Sequence, residues 1–290
     1  MIPSIPTPVT ADCPRVGGVP LVEIAERPGA VRSDDRVVVL PHAVVLLDGA
    51  TSLVPTERDG GWYATQLAEV LRTRLTAEPT ADLATLLADA IAEVATRYEL
   101  RPGASPSSTV ALLRWDTDTV EALVLADSPV VVFTTSGVQV VSDDRLARVP
   151  RPPGGYRERL RAGGGYGPEH HEALLASAAV MSRWRNTEGG FWVAEADPAA
   201  AHQAVRARWP RAEVEAALLA SDGVSCGVDD YGLFDWSTAR KLAESSGPQA
   251  VLDAVRAAEE SDPDGRRWPR PKRHDDQSLV LVRFDENRSG

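Results

Sequence analysis

The sequence predicts one α+β domain in which helices cover antiparallel sheets, and three observations predict it. The apolar runs "TVALLRW", "VEALVLA", "VVVFTT" and "VQVVS" follow one another through short turns, which leaves no room for crossover helices and makes the pairing antiparallel. Two stretches with apolar residues at helical spacing precede these runs, and further helical stretches come late in the chain. No internal repeat or interdomain linker divides the sequence. The economical arrangement places two helices over one sheet and the later helices over another.

Residues 1–18 are punctuated by Pro and Gly and read as a loosely held N-terminal arm, with the domain spanning 19–290. "VPLVEIAE" alternates and reads as a strand, and "RVVVL" and "AVVLL" are two more on either side of Pro41-His42. "GWYATQLAEVLRTRL" sets Tyr63, Leu67, Val70 and Leu71 on one helical face. "TADLATLLADAIAEVATRY" is the clearest helix, with Thr80 as its expected N-cap. After the hairpin strands, residues 145–170 are rich in Arg, Pro and Gly and read as a surface loop or flap. A helix is expected over 169–184, then a strand "GFWVAEA", a helix over 199–206 and a strand "EAALLAS". Helices over 236–245 and 248–260 and the strand "QSLVLVRF" complete the order.

The 290 residues, 43% hydrophobic and 25% charged, suffice for a sizeable core. A net charge of −11 argues against nucleic acid as the main partner, because phosphate contacts need clustered Lys and Arg. It suits a protein that collects cations. Cys13 and Cys226 make neither a disulfide framework nor a zinc cluster, so a reducing, cytoplasmic setting is expected. The N-terminus lacks the basic start and apolar run of a secretion signal, and no run reaches membrane-spanning length, so no membrane partner is expected.

Carboxylates recur where apolar runs begin or end. Asp34 and Asp35 precede "RVVVL", Asp48 follows "AVVLL", Asp127 follows "EALVLA", Asp222 follows "EAALLAS", and Asp275 and Asp276 precede "QSLVLV". Each alone is an ordinary turn former. Brought to one rim, they would repel one another unless protonated, solvated or neutralised by a cation. Hard oxygen donors without His or Cys favour Mg²⁺ or Mn²⁺ over zinc. Two such ions roughly 3.5–4 Å apart are suited to phosphoryl hydrolysis. Gly49, with no side chain, leaves its carbonyl open to close approach. On the pattern alone, turns and a shared metal site both stand.

In order, "VRSDDR", "LLDGATS", "SPSSTVALL", "LVLADSPVVVF", "LLASDGV" and "DDQSLVLV" resemble the motifs of the type 2C metal-dependent serine/threonine protein phosphatases, bacterial members included. The resemblance covers residues 19–284. It implies a four-layer α-β-β-α sandwich of two antiparallel sheets flanked by helices. It also implies two and possibly three Mg²⁺ or Mn²⁺ ions. Asp48, Asp222 and Asp275 would hold the first, Asp34, Asp48 and the Gly49 carbonyl the second, and Asp127 with Asp222 a looser third. A hydroxide bridging two ions would attack the phosphorus of a phosphoserine or phosphothreonine, with a phosphoprotein or phosphopeptide as substrate and the enzyme acting as a monomer. Residues 145–170 fall where the family carries a variable flap.

The chain departs from that pattern at several places. Asp34 stands where the family has Glu, and Ala30 where it has a phosphate-binding Arg, leaving Arg32 or Arg27 as candidate substitutes. Ala50 replaces a His after Asp-Gly, and Arg145 stands near a second missing His. These departures support an alternative, a catalytically weak or inactive phosphatase-like regulatory or binding module.

"GVSCG", residues 223–227, fits the Gly-x-Ser-x-Gly elbow of serine hydrolases, with Asp229 or Asp235 and His274 following. That elbow needs a helix behind it and a mostly parallel sheet, and "VDDYGLF" starts a helix poorly. His170-His171 reads as a solvated helix start, since adjacent residues rarely chelate together. "GGGYG" lacks the ending of a phosphate loop and reads as part of the flap. Trp62, Trp115 and Trp192 read as packing residues.

Overall fold

The computed structural model describes residues 19–151 and 153–284. The arm read at residues 1–18, and residues 285–290, lie outside them. In chain order the elements are β1 (Leu21–Arg27), β2 (Arg36–Leu40), β3 (Ala43–Leu47), α1 (Gly60–Ala77), α2 (Leu83–Arg97), β4 (Val110–Trp115), β5 (Thr119–Leu125), β6 (Val130–Thr134) and β7 (Gly137–Val141). There follow α3 (Arg145–Arg148), α4 (Tyr156–Arg161), α5 (Pro168–Met181), β8 (Val205–Pro210), β9 (Val214–Ala220), α6 (Asp222–Asp229), α7 (Trp236–Ser246), α8 (Gln249–Ser261) and β10 (Gln277–Arg283).

The strands form two five-stranded sheets, ordered β1-β10-β9-β6-β7 and β2-β3-β4-β5-β8. Every neighbouring pair is antiparallel. Side-chain parity assigns the layers. On β3, Val45 and Leu47 face α1 and α2, while Val44 and Leu46 meet Val130, Leu219 and Val280 between the sheets. Leu218 and Leu279, on the opposite faces of β9 and β10, pack under α7 and α8 with Trp236 and Leu252. A strand buried on both faces needs an unbroken apolar run, which is why "AVVLL" does not alternate. Fully burying each such Val or Leu contributes about 1.5–3 kcal/mol. The result is the helix–sheet–sheet–helix sandwich that the resemblance implies.

Several expectations need correction. The N-cap of α2 is Asp82, whose carboxylate accepts from the Thr85 amide at 3.0 Å, and not Thr80. The stretch 145–170 is no plain loop, since it contains α3, α4 and the start of α5. "GFWVAEA" is no strand and makes only isolated bridges, Ser108 to Ala194 and Arg185 to Phe191. Side chains hold this segment instead: the Asn186 carboxamide brackets Val193, and the Glu195 carboxylate accepts from the Gly103 amide and the Ser105 hydroxyl. In place of a helix over 199–206, a 3₁₀ turn at Pro198–Gln203 leads into the edge strand β8. There Ala207 and Trp209 turn into the inter-sheet core while Arg206 and Arg208 form ion pairs on the outer side. His170 is buried rather than solvated. Its ring lies edge-on to Tyr156 and Tyr166, and its Nε2 is 2.7 Å from the Pro271 carbonyl. Trp115 is buried, and Trp62 and Trp192 pack half-buried against the α1–α2 core.

Candidate metal and phosphate site

One end of the sandwich gathers the acidic strand tips, and backbone locks set each of them. The Asp48 amide donates to Thr109 Oγ1 at 3.1 Å, and its carbonyl accepts from the Thr109 amide and Ser108 Oγ, both at 2.9 Å. Asp222 is the first residue of α6, directly after Ser221, whose hydroxyl accepts from the Ser278 amide at 2.9 Å. The Asp276 carboxylate accepts from the Gly29 and Asp34 amides at 2.7 and 3.0 Å, binding the β1–β2 loop to the start of β10. Glycines allow this crowding. A Cβ on Gly223 would lie 1.9 Å from the Asp276 carbonyl oxygen, and one on Gly49 would lie 2.5 Å from the Gly60 backbone. Gly49 is therefore required for the docking of the α1 N-terminus whatever its carbonyl binds.

Electrostatics shows which acids meet. Burial raises the Asp48 carboxyl well above its usual range, followed by repulsion from Asp35, Asp222 and Asp275. Burial likewise raises Asp222, followed by Asp275 and Asp127, and the Asp48 and Asp222 carboxyls act on each other. Burial raises Asp127, then Asp143 and Asp275. Asp34 is raised by burial and then by Asp276 and Asp59. The structure thus brings Asp48, Asp127, Asp222 and Asp275 into one interacting group, which Asp34 reaches through Asp276 and Lys272. All are half-buried, deep in the rim yet open to solvent.

Two members of the group carry no role in the sequence reading. Asp35 is only 2% exposed, and neither of its carboxylate oxygens has a hydrogen-bond partner. Burial pushes its carboxyl up to about 7, against the favourable Ser278 and Ser221 hydroxyls nearby. Strand parity could have located it: Asp35 shares the side of Val37, which packs between the sheets. The second is Lys272, whose Nζ lies 2.5 Å from Asp275 Oδ1. Burial alone would lower this ammonium, but Asp275, Asp48 and Asp222 hold it above its ordinary value. Its sequence mark is a lysine three residues before the acidic pair, in "PKRHDD".

A buried carboxylate with both oxygens unpartnered, among other hard oxygen donors, fits a divalent cation. As they stand, no three Asp, Glu, His or Cys side chains among the described residues close on a common point as ligands would. The Lys272 ammonium, bound to Asp275, offsets part of the charge.

A cavity of about 550 Å³ opens over the group, bounded by Asp127, Asp222, Asp275 and Lys272 and, from the flap, by Arg151 and Tyr156. Of the candidate phosphate arginines, Arg27 is paired with Asp253 on α8, away from the acids. Arg32 is largely exposed, pairs with Asp59 at the head of α1 and acts on Asp34. Arg145 is clamped to Asp143 through two nitrogens, the shorter contact being 2.6 Å.

Solved structures share this architecture. PppA, a key regulatory component of T6SS in Pseudomonas aeruginosa, is 20% identical, with 92% of this chain and 98% of that chain covered at a TM-score of 0.54. The catalytic domain of the serine/threonine protein phosphatase PstP, solved with two manganese ions, is 15% identical, with 91% and 98% covered at a TM-score of 0.53. The fold is that of the type 2C metal-dependent protein phosphatases. Stp1, a serine/threonine phosphatase from Staphylococcus aureus, matches the same phosphatase fold at 13% identity, with 96% and 100% covered and a TM-score of 0.53. No protein-family model matches the chain, and neither does any curated protein.

Within the phosphatase fold the serine-hydrolase constellation loses its frame. A helix does follow β9, starting at Asp222, so Ser225 sits on a strand–helix junction that the sequence reading did not place. However, β9 is antiparallel to both neighbours, and His274 is bound to Glu259 at 3.0 Å. Among the described residues, no helix is long and apolar enough to cross a membrane.

Proposed function

We propose that the chain is a Mg²⁺- or Mn²⁺-dependent phosphomonoesterase acting on phosphoserine or phosphothreonine in proteins, as a monomer in the cytoplasm. The observation that carries this reading is the meeting of Asp48, Asp222, Asp275, Asp127 and Asp34 at one rim of a type 2C phosphatase fold, with the unpartnered Asp35 behind them. Asp48, Asp222 and Asp275 would hold one ion, Asp34, Asp48 and the Gly49 carbonyl a second, and Asp127 with Asp222 a third. Bound ions would neutralise the carboxylates and supply Lewis-acid polarisation of water and phosphate. The residues do the rest. Asp127, Asp222 and Asp275 line a cavity large enough for a phosphorylated side chain, Arg151 of the flap lines it too, and Arg32 stands at the Asp34 side.

The test is hydrolysis of p-nitrophenyl phosphate and phosphopeptides with Mn²⁺, stopped by a chelator and by Asp222→Asn. Pure protein that is inert towards both ester classes with Mn²⁺ present sinks the enzyme reading. A second reading, a regulatory module that binds without turnover, is favoured by Ala30 and Ala50 and by an ammonium already seated among the acids. It predicts Mn²⁺ binding, or none, with no hydrolysis.

A further inference from the structure

The loop between α8 and β10 is built to deliver one side chain. Asp262 closes its beginning, accepting from the Arg266 and Trp268 amides at 2.9 Å each. Arg270, buried, crosses it with bonds to the carbonyls of Glu259, Asp262 and Arg273 at 3.0, 2.8 and 2.9 Å. His170 holds the Pro271 carbonyl from α5, and Arg256 donates to the Asp275 carbonyl at 2.9 Å. Pro269 and Pro271 fix φ on the approach to Lys272. The Lys272 side chain is 31% exposed and its partner Asp275 21%, so this is no freely solvated pair. The ammonium touches Asp275 and acts electrically on Asp48, Asp222 and Asp34, so four of the acids face one cation.

We propose that Lys272 is a tethered counter-cation that competes with divalent metal for the acidic rim, holding the site in a metal-poor state until the ion displaces it into the cavity. This rests on the metal-dependent reading above. An ion gripped by Asp275 would sit beside the ammonium already bound to Asp275 Oδ1, and two cations there repel each other. The cavity that Lys272 borders gives the displaced side chain room. Metal affinity is thereby set by a residue that is not itself a ligand.

Calorimetric titration of Mn²⁺ into the full chain tests this without any assay of activity. Lys272→Met should bind Mn²⁺ roughly 10–100-fold more tightly than wild type, the range over which residues behind a metal site tune it. Lys272→Arg, which keeps the charge, should bind no more tightly than wild type. In chelator Lys272→Met should melt below wild type, and Mn²⁺ should raise its melting temperature by more. Lys272→Gln gives the same charge comparison if the Met variant does not fold. Neutral variants that bind Mn²⁺ no more tightly than wild type overturn the proposal and leave the phosphatase reading standing. Failure of wild type and neutral variants alike to bind Mn²⁺ or Mg²⁺ overturns both.

Discussion

The two helical layers cover their sheets by different means. Under α1 and α2 the contact is dry: Leu67, Leu71, Leu75, Leu86, Leu87 and Ile91 are all within 2% of full burial, and they meet Val45 and Leu47 of β3. Under α7 and α8 the apolar contact stops short of the rim, and charges take over. Glu259 is 1% exposed, with Arg256 at 3.1 Å and His274 at 3.0 Å, and Arg270 pairs with Asp262 at 3.3 Å. An apolar layer supports a sheet through area alone and leaves its partner free to adjust. A buried ionic layer costs desolvation and returns little stability, but it fixes a backbone in one place. That placement is what the loop carrying Lys272 and Asp275 needs. One layer serves the fold and the other serves the site.

Substitutions in the two layers should separate along that line. The largest effect is expected from Arg270→Ala. Removing one partner of a buried pair strands the other and costs about 3–5 kcal/mol, and it also frees the loop. Melting temperature should fall, and Mn²⁺ affinity of the remaining folded protein should change with it. Leu87→Ala should cost about 2–5 kcal/mol through transfer loss and a cavity. Denaturant melts would show that loss while Mn²⁺ titration of folded protein shows no change. If Leu87→Ala disturbs metal binding as much as Arg270→Ala, the division of labour between the layers is wrong.

The same difference explains what was legible in the sequence. Apolar periodicity reports area, so the α1–α2 layer and the core strands stand out in "ATLLADAIAEV" and "AVVLL". Asp48, Asp127 and Asp222 are legible because each ends such a run. Asp35 was visible as an acid but not as the buried one, since its burial follows from β2 parity relative to a second sheet. Lys272 carries only the weak mark of standing three residues before the acidic pair, and its position depends on Arg270, His170 and Arg256, far apart in sequence. In β8, Ala and Arg of "AHQAVRARW" suit a helix, and only pairing with β5 makes the segment a strand. Thr80 and Asp82 both suit an N-cap by residue type, and only the bond to Thr85 decides for Asp82.

Acidity sharpens the contrast on the site side. The Asp35 carboxyl is raised to about 7 from 3.8, so the folded state holds its proton more tightly than the unfolded chain. That contribution is full below the unfolded value and is lost as pH rises through about 7. Ion-free protein should therefore be more stable at pH 5 than at pH 8, by roughly 2–3 kcal/mol at about 1.4 kcal/mol per unit. Asp35→Asn should make the profile shallower, with the raised Asp48, Asp222 and Asp127 carboxyls supplying the remaining slope. A variant profile as steep as the wild type's would mean that Asp35 is not the buried, raised carboxyl described.

On the dry side the sign reverses and the effect is smallest. Asp82 is exposed at the head of α2, and its carboxyl is lowered, chiefly by the Thr85 amide and with help from Arg206. Its contribution is present above the unfolded value near 3.9 and is lost as pH falls through the lower folded one. As an N-cap it contributes about 1 kcal/mol, and solvent screens the ion pair with Arg206. Asp82→Ala should lower stability by about that amount at neutral pH and leave Mn²⁺ affinity alone. Asp82→Asn keeps the oxygen that accepts from Thr85, so it should retain most of the stability while losing its dependence on acid. Melts of the three proteins from pH 3 to pH 7 would separate cap from charge. If Asp82→Asn were as weak as Asp82→Ala at neutral pH, the charge and not the hydrogen bond would be what holds α2 at its start.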